Sequence, residues 1–194
     1  MKVFMMKKLY WGLIISVLSA GSAFADCNDY NQLFNLIAKR TSYMQTVAAN
    51  KYLATPQGNI YDAPQELKVL QNAQMQAHNQ QLESNVFLPF TQIQMDLSKQ
   101  IQAYWFSYWQ QNPQLAPKPR QYADLATVRQ QIKIIDDQLY PQLAKLITTN
   151  PECPLNQLNT KFAAQFAEIK GIPHNPDFRS LVVASVIATV HSQH

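Results

Sequence analysis

Apolar residues along this chain recur at spacings of three and four rather than two, so the pattern predicts helices. The first stripe holds Leu33, Leu36, Ile37, Met44, Val47 and Ala48 and predicts a helix from about Asn28 to Leu53. Thr55-Pro56-Gln57-Gly58-Asn59 ends it. Asp62-Ala63-Pro64 reads as a second start, with Asp as the cap and Pro early in the helix, continuing to about Ser84. A third helix, about Pro89–Gln111, carries Phe90, Leu97, Ile101, Trp105 and Trp109. Three prolines between Asn112 and Arg120 mark a loop. A fourth helix, about Ala123–Thr149, carries Leu125, Val128, Ile132, Leu139, Leu143 and Leu146. Pro151 and Pro154 frame a turn around Cys153. Two shorter helices follow, about Leu155–Lys170 and Pro176–His191, separated by Gly171-Ile172-Pro173. No period-two alternation is sustained and no Asn-Gly or Asp-Gly hairpin turn occurs. The expected fold class is all-α, a single-domain bundle of about six helices.

The first residues follow a different rule. Lys2, Lys7 and Lys8 precede the apolar stretch Leu9–Ala20, and Ala23-Phe24-Ala25 presents small residues before Asp26. This order is that of a cleaved export signal, so residues 1–25 are expected to leave and residues 26–194 to form the domain. The apolar stretch is short for a bilayer span of about 20 residues, as is the run Leu181–Val190, which reads as a buried C-terminal helix. Asp26 before Cys27 is not the small residue that lipid attachment needs.

Composition then narrows the chemistry. The 194 residues carry a formal charge of +4, but the leader takes three lysines and no acid with it, leaving 13 basic against 12 acidic side chains. No basic stripe remains to neutralise phosphates, so nucleic acid is not an expected partner, nor is a membrane after cleavage. Four glycines exclude a Gly-rich phosphate loop, and two cysteines exclude a four-Cys zinc site. The expected location is exported, either periplasmic or secreted. An oxidising compartment favours a Cys27–Cys153 disulfide.

Polar residues interrupt the apolar faces. Arg40 and Lys51 lie eleven residues apart, three helical turns plus about 20°, so they share the face of Ile37, Met44, Val47 and Ala48. On the second helix Asp62, Gln65, Glu66 and Val69 form one stripe. On the third, Ser98 and Gln102 sit between Leu97, Ile101 and Trp105; on the fourth, Arg129 sits between Leu125 and Ile132. Taken singly, each is ordinarily a side chain snorkelling from a stripe's edge. Four helices doing so together describe a cation-rich pocket with amide, hydroxyl and carboxylate groups, suited to a small anion bearing a hydroxyl.

These segments, in this order, resemble the exported class of the all-helical, AroQ-type chorismate mutases. The resemblance rests on Leu-x-x-Leu-Ile-x-x-Arg at Leu33–Arg40, Val-Ala-x-x-Lys at Val47–Lys51, Ile-x-Asp at Ile60–Asp62 and Glu66-x-x-Val-Leu. It continues through Gln94–Gln102, Trp109 and Asp-Leu-x-x-x-Arg at Asp124–Arg129. It implies an enzyme that folds chorismate into a chair, from which a pericyclic rearrangement gives prephenate, with no nucleophile and no cofactor. Arg40 and Arg129 would grip the two substrate carboxylates. Lys51 and Gln102 would hydrogen-bond the ether oxygen as its bond breaks. Glu66, with Asp62 nearby, would take the ring hydroxyl, and Ser98 would orient a carboxylate. The resemblance also implies a homodimer with one pocket inside each protomer.

Two departures set the competing expectation. Gln65 stands where the family usually has an arginine for a substrate carboxylate, with Lys68 one turn on as a stand-in. The loop between Lys51 and Asp62 is about two residues longer than usual, which would move Asp62 or shift the register. A weakened or inactive homologue that binds small dicarboxylates is the alternative function. A haem or metal bundle has less support: His78, His174, His191 and His194 form no i, i+4 pair, and no Cys-x-x-Cys-His occurs. The aromatic run Tyr104-Trp105-Phe106-Tyr108-Trp109 offers a platform for a sugar or base, but its helical spacing favours core packing.

Overall fold

The computed structural model describes residues 27–172 and 176–193. The leader, His174 and His194 lie outside the described residues. Within them the helices are α1 (Asn28–Ser42), α2 (Met44–Ala54), α3 (Ala63–Asn79), α4 (Leu88–Gln111), α5 (Leu125–Thr149), α6 (Leu155–Gln165) and α7 (Pro176–Val190). Short 3-10 turns occupy Pro113–Leu115, inside the proline-rich loop, and His191–Gln193. No strand occurs among the described residues.

The expected first helix is two segments. At Tyr43 the backbone tightens, its N–H reaching the Arg40 carbonyl at 3.3 Å, and Val47 N–H then resumes on the Tyr43 carbonyl. The Asp62 carboxylate caps α3 by accepting the Gln65 N–H at 3.2 Å, and Asp124 caps α5 by accepting the Thr127 N–H at 2.9 Å. α3 ends at Asn79, five residues before the expected Ser84. The Gln81 N–H bonds the His78 carbonyl and the Leu82 N–H the Ala77 carbonyl, both at 3.0 Å. That paired ending requires a left-handed residue, and Gln81 takes φ of 59°. α6 likewise stops at Gln165 rather than Lys170. The chain then turns through Gly171 at φ +88°, where an added Cβ would lie 2.9 Å from the Tyr104 side chain.

α1 packs along α5 and α6, α2 along α4, and α7 against α4, α5 and α6, while α3 rests on α4 and α5. Leu33, Phe34, Ile37, Phe90, Leu97, Leu139, Leu143 and Phe162 are fully buried where these helices meet. Phe34 meets Phe162 edge-on at 5.6 Å, and Tyr52 meets Trp109 at 5.4 Å. Trp105, Phe106 and Trp109 are buried, so most of the aromatic run packs the core; Tyr104 is exposed and stacks on half-buried Tyr108. In α7, Val182, Val183, Val186 and Val190 are buried, as expected for the apolar C-terminal run, although Leu181 faces outward. A disulfide joins Cys27, at the start of α1, to Cys153 before α6. No helix among the described residues is long and apolar enough to cross a membrane.

Candidate active site

One cavity of about 430 Å³ opens where α1 and α2 meet α3, α4 and α5. All eight pocket residues expected from sequence line it: Arg40, Lys51, Asp62, Gln65, Glu66, Ser98, Gln102 and Arg129. Met44, Val47, Met95 and Ile132 supply apolar wall between them. The longer loop before α3 does not displace Asp62, which both caps that helix and faces the cavity.

Arg40 is fixed before any ligand arrives. Its Nε donates to Asp136 Oδ1 at 2.9 Å and its Nη1 to Ser98 Oγ at 3.2 Å. Ser98 Oγ in turn donates to the Gln94 carbonyl at 2.7 Å. Both ends of the Arg40–Asp136 pair are buried. Burial pushes the Asp136 carboxyl above the usual carboxylate range, and the adjacent guanidinium pulls it back down. The rest of the guanidinium remains free to donate to an anion.

Lys51 donates to the Ile60 carbonyl, which closes the α2–α3 loop over the end of α2. Burial lowers its ammonium below the usual lysine value; Asp62 opposes that, Arg129 adds to it, and Glu66 opposes it more weakly. Gln102 spends one N–H on the Ser98 carbonyl at 3.0 Å, and its buried Oε1 has no partner among the described residues. The second N–H of that amide stays available.

Two further bridges cross to α3. Arg129 Nη2 meets Asp62 Oδ2 at 2.9 Å, and Lys99 Nζ lies 3.4 Å from Glu66 Oε2 and 2.9 Å from Asp96 Oδ1. The Asp96 hydrogen bond is the main reason the Lys99 ammonium is held above its usual value. Lys99 and Asp136 are wall residues that the motif reading passed over. Both carried a signal: Ile132, Asp136, Leu139 and Leu143 are one stripe at helical spacing, and Lys99 neighbours Ser98.

The arrangement can hold and orient a compact anion by charge and hydrogen bonding. It offers no activated nucleophile, and no group of three or more metal-ligating side chains occurs among the described residues. His78 and His191 are exposed and stand apart from the cavity wall.

Comparison with known proteins follows the same lines. The chorismate mutase type II family matches residues 30–103. Among solved structures, a secreted chorismate mutase from Yersinia pestis superposes with a TM-score of 0.62 at 25% identity, covering 82% of this chain and 94% of that one. A chorismate mutase from Burkholderia thailandensis gives a TM-score of 0.66 at 21% identity over 82% of this chain and 99% of that one. One from Burkholderia phymatum gives 0.65 at 17% identity over 84% and 96%. No curated protein sequence matches the chain.

Proposed function

We propose that the chain, whose residues 30–103 match the chorismate mutase type II family, converts chorismate to prephenate in the α1–α5 cavity. The observation that carries this reading is the convergence of seven motif residues and Gln65, drawn from α1, α2, α3, α4, α5 and the residue capping α3, on one cavity. Motifs with only structural roles would not meet in a cavity where cations outnumber carboxylates.

The reaction breaks an ether C–O bond and forms a C–C bond within one molecule, so the protein must supply shape and charge. Arg40, held by Asp136 and Ser98, grips one carboxylate. Arg129 grips the other with donors not engaged by Asp62. Together they hold the two ends of the substrate within bonding range. Restraint of this kind supplies about 7 to 11 kcal/mol in the best intramolecular cases. Negative charge grows on the ether oxygen as its bond breaks. The Lys51 ammonium and the free Gln102 N–H meet it there. One well-aimed donor at developing charge adds about 3 kcal/mol. Glu66 accepts the ring hydroxyl, with Asp62 nearby. Gln65 offers a neutral hydrogen bond at the same wall.

The protein acts outside the cytoplasm, in the periplasm or beyond the cell, after loss of residues 1–25. The Cys27–Cys153 disulfide supports an oxidising compartment. A homodimer is the expected assembly.

The test is chorismate consumption by the purified, oxidised protein beside Arg40→Ala and Lys51→Ala. Turnover by the parent, with a loss of roughly a hundred-fold or more in kcat/KM in each variant, is expected. A folded parent with no turnover would overturn the reading.

A further inference from the structure

We infer that Lys68 joins Arg129 in binding the substrate carboxylate nearer the cavity mouth, an assignment that rests on the dicarboxylate chemistry proposed above. The cavity wall carries six cations, and most of their charge is already answered. Arg40 is paired with Asp136, Arg129 with Asp62, and Lys99 with Glu66 and Asp96. Lys133 is paired with Asp137 at 2.7 Å. Of these six, only Lys51 and Lys68 have no carboxylate at ion-pair distance among the described residues. Lys51 is half-buried and engaged with the Ile60 carbonyl. Among the described residues Lys68 has no hydrogen-bond or ion-pair partner; it is exposed and stands at the cavity wall.

An incoming anion therefore meets uncompensated positive charge at Lys68. An anion at Arg40 or Arg129 also feels the carboxylate resident beside that guanidinium. Gln65, on the same face of α3 one turn before, adds no charge of its own. The ammonium has three donors on a flexible four-carbon stem, so it can reach inward from the mouth without moving the backbone. A charge at the mouth attracts the ground state and the transition state alike, because the substrate carboxylates keep their charge through the rearrangement. Its loss should raise KM and spare kcat.

The experiment is steady-state kinetics with chorismate on the purified, oxidised protein and four variants. Lys68→Ala should raise KM by about ten-fold with kcat within about two-fold, and Lys68→Glu should raise it further. Lys68→Arg should keep KM near the parent value. Gln65→Arg placed in the Lys68→Ala background should recover most of the loss, because it returns a cation to the same face. An unchanged melting temperature in Lys68→Ala separates lost binding from lost folding. Parent turnover with KM unmoved in both Lys68→Ala and Lys68→Glu overturns this assignment and leaves the proposed reaction standing. A parent without turnover overturns both.

Discussion

In the proposed reaction Gln102 and Lys51 set the pH behaviour, because one cannot titrate and the other loses its proton below the usual lysine value. A glutamine donates its N–H at any pH, so the acid side of the profile has no requirement for a protonated carboxyl at position 102. Burial lowers the Lys51 ammonium, so the group loses its charge at a pH below the usual lysine value of 10.5. Activity that needs the charged form is lost as pH rises through that lowered value. We expect kcat/KM to be nearly flat between about pH 5 and 8, then to fall on the alkaline side. Gln102→Glu should convert this plateau into an acidic optimum, since the new carboxyl donates only while protonated. Lys51→Arg should move the alkaline fall upward, at reduced kcat, because a guanidinium does not titrate there. A pH–rate profile of the three proteins decides the point; a collapse of the parent between about pH 5 and 8 would remove Gln102 from its role. At Asp136 the readout is stability. Asp136→Ala would leave the buried Arg40 guanidinium without its partner and should cost about 3 to 5 kcal/mol in denaturant unfolding. Asp136→Asn should cost less, since an amide oxygen can still accept from Nε. The residues that touch the proposed substrate were legible because polar groups on apolar stripes stand out. Asp136 and Lys99 were harder to see. Their roles depend on which side chain lies opposite on another helix, and a single sequence does not state that pairing.

Helix starts were easier to read than helix ends. Asp62 and Asp124 announce their helices because a carboxylate at that position answers free backbone N–H groups. The end of α3 was missed by five residues because its left-handed position is filled by Gln81 rather than glycine. The same mismatch offers a stabilising change. Gln81→Gly should remove the steric cost of the left-handed backbone at an exposed site, a gain of up to about 1 to 2 kcal/mol offset in part by unfolded-chain entropy. A melting temperature raised by about 2 to 4 °C is the expected result. A fall would mean that the glutamine side chain contributes more than its backbone costs. The break at Tyr43 was also invisible, since the apolar stripe runs through it without interruption. α3 matters further for how the site opens. Its buried side chains, Ala73, Gln76 and Ala77, lie in its second half. Its first half is tied down by Asp62–Arg129 and Glu66–Lys99, partly exposed pairs that salt weakens. Amide exchange in residues 63–70 should therefore quicken with ionic strength while α1 and α5 stay protected. Equal protection along α3 in low and high salt would show that packing, not charge, holds its first half.

Over the whole molecule, the longest constraint is the disulfide. Cys27 and Cys153 are 126 residues apart in the chain and 5.8 Å apart between Cα atoms. They close most of the described chain into one loop, including every element that lines the cavity. In the chain-entropy account a loop of this length stabilises the folded state by about 5 kcal/mol, chiefly by restricting the unfolded chain. The native contacts of α1 do not depend on it. Tyr30, Leu33, Phe34 and Ile37 are buried, Lys145 meets Asp29 Oδ1 at 2.6 Å, and Gln142 donates to the Asp29 carbonyl at 3.0 Å. Reduction should therefore leave a folded protein with the same fold, the same cavity and an unchanged kcat/KM at room temperature. The cost should appear in unfolding, with a melting temperature lower by roughly 10 to 20 °C. Cys27→Ser with Cys153→Ser should reproduce the reduced protein, since both remove the same loop constraint. If the reduced protein instead loses its helical signal at room temperature, the core alone is too weak. Folding would then wait on oxidation, and the chain would become active only after reaching an oxidising compartment.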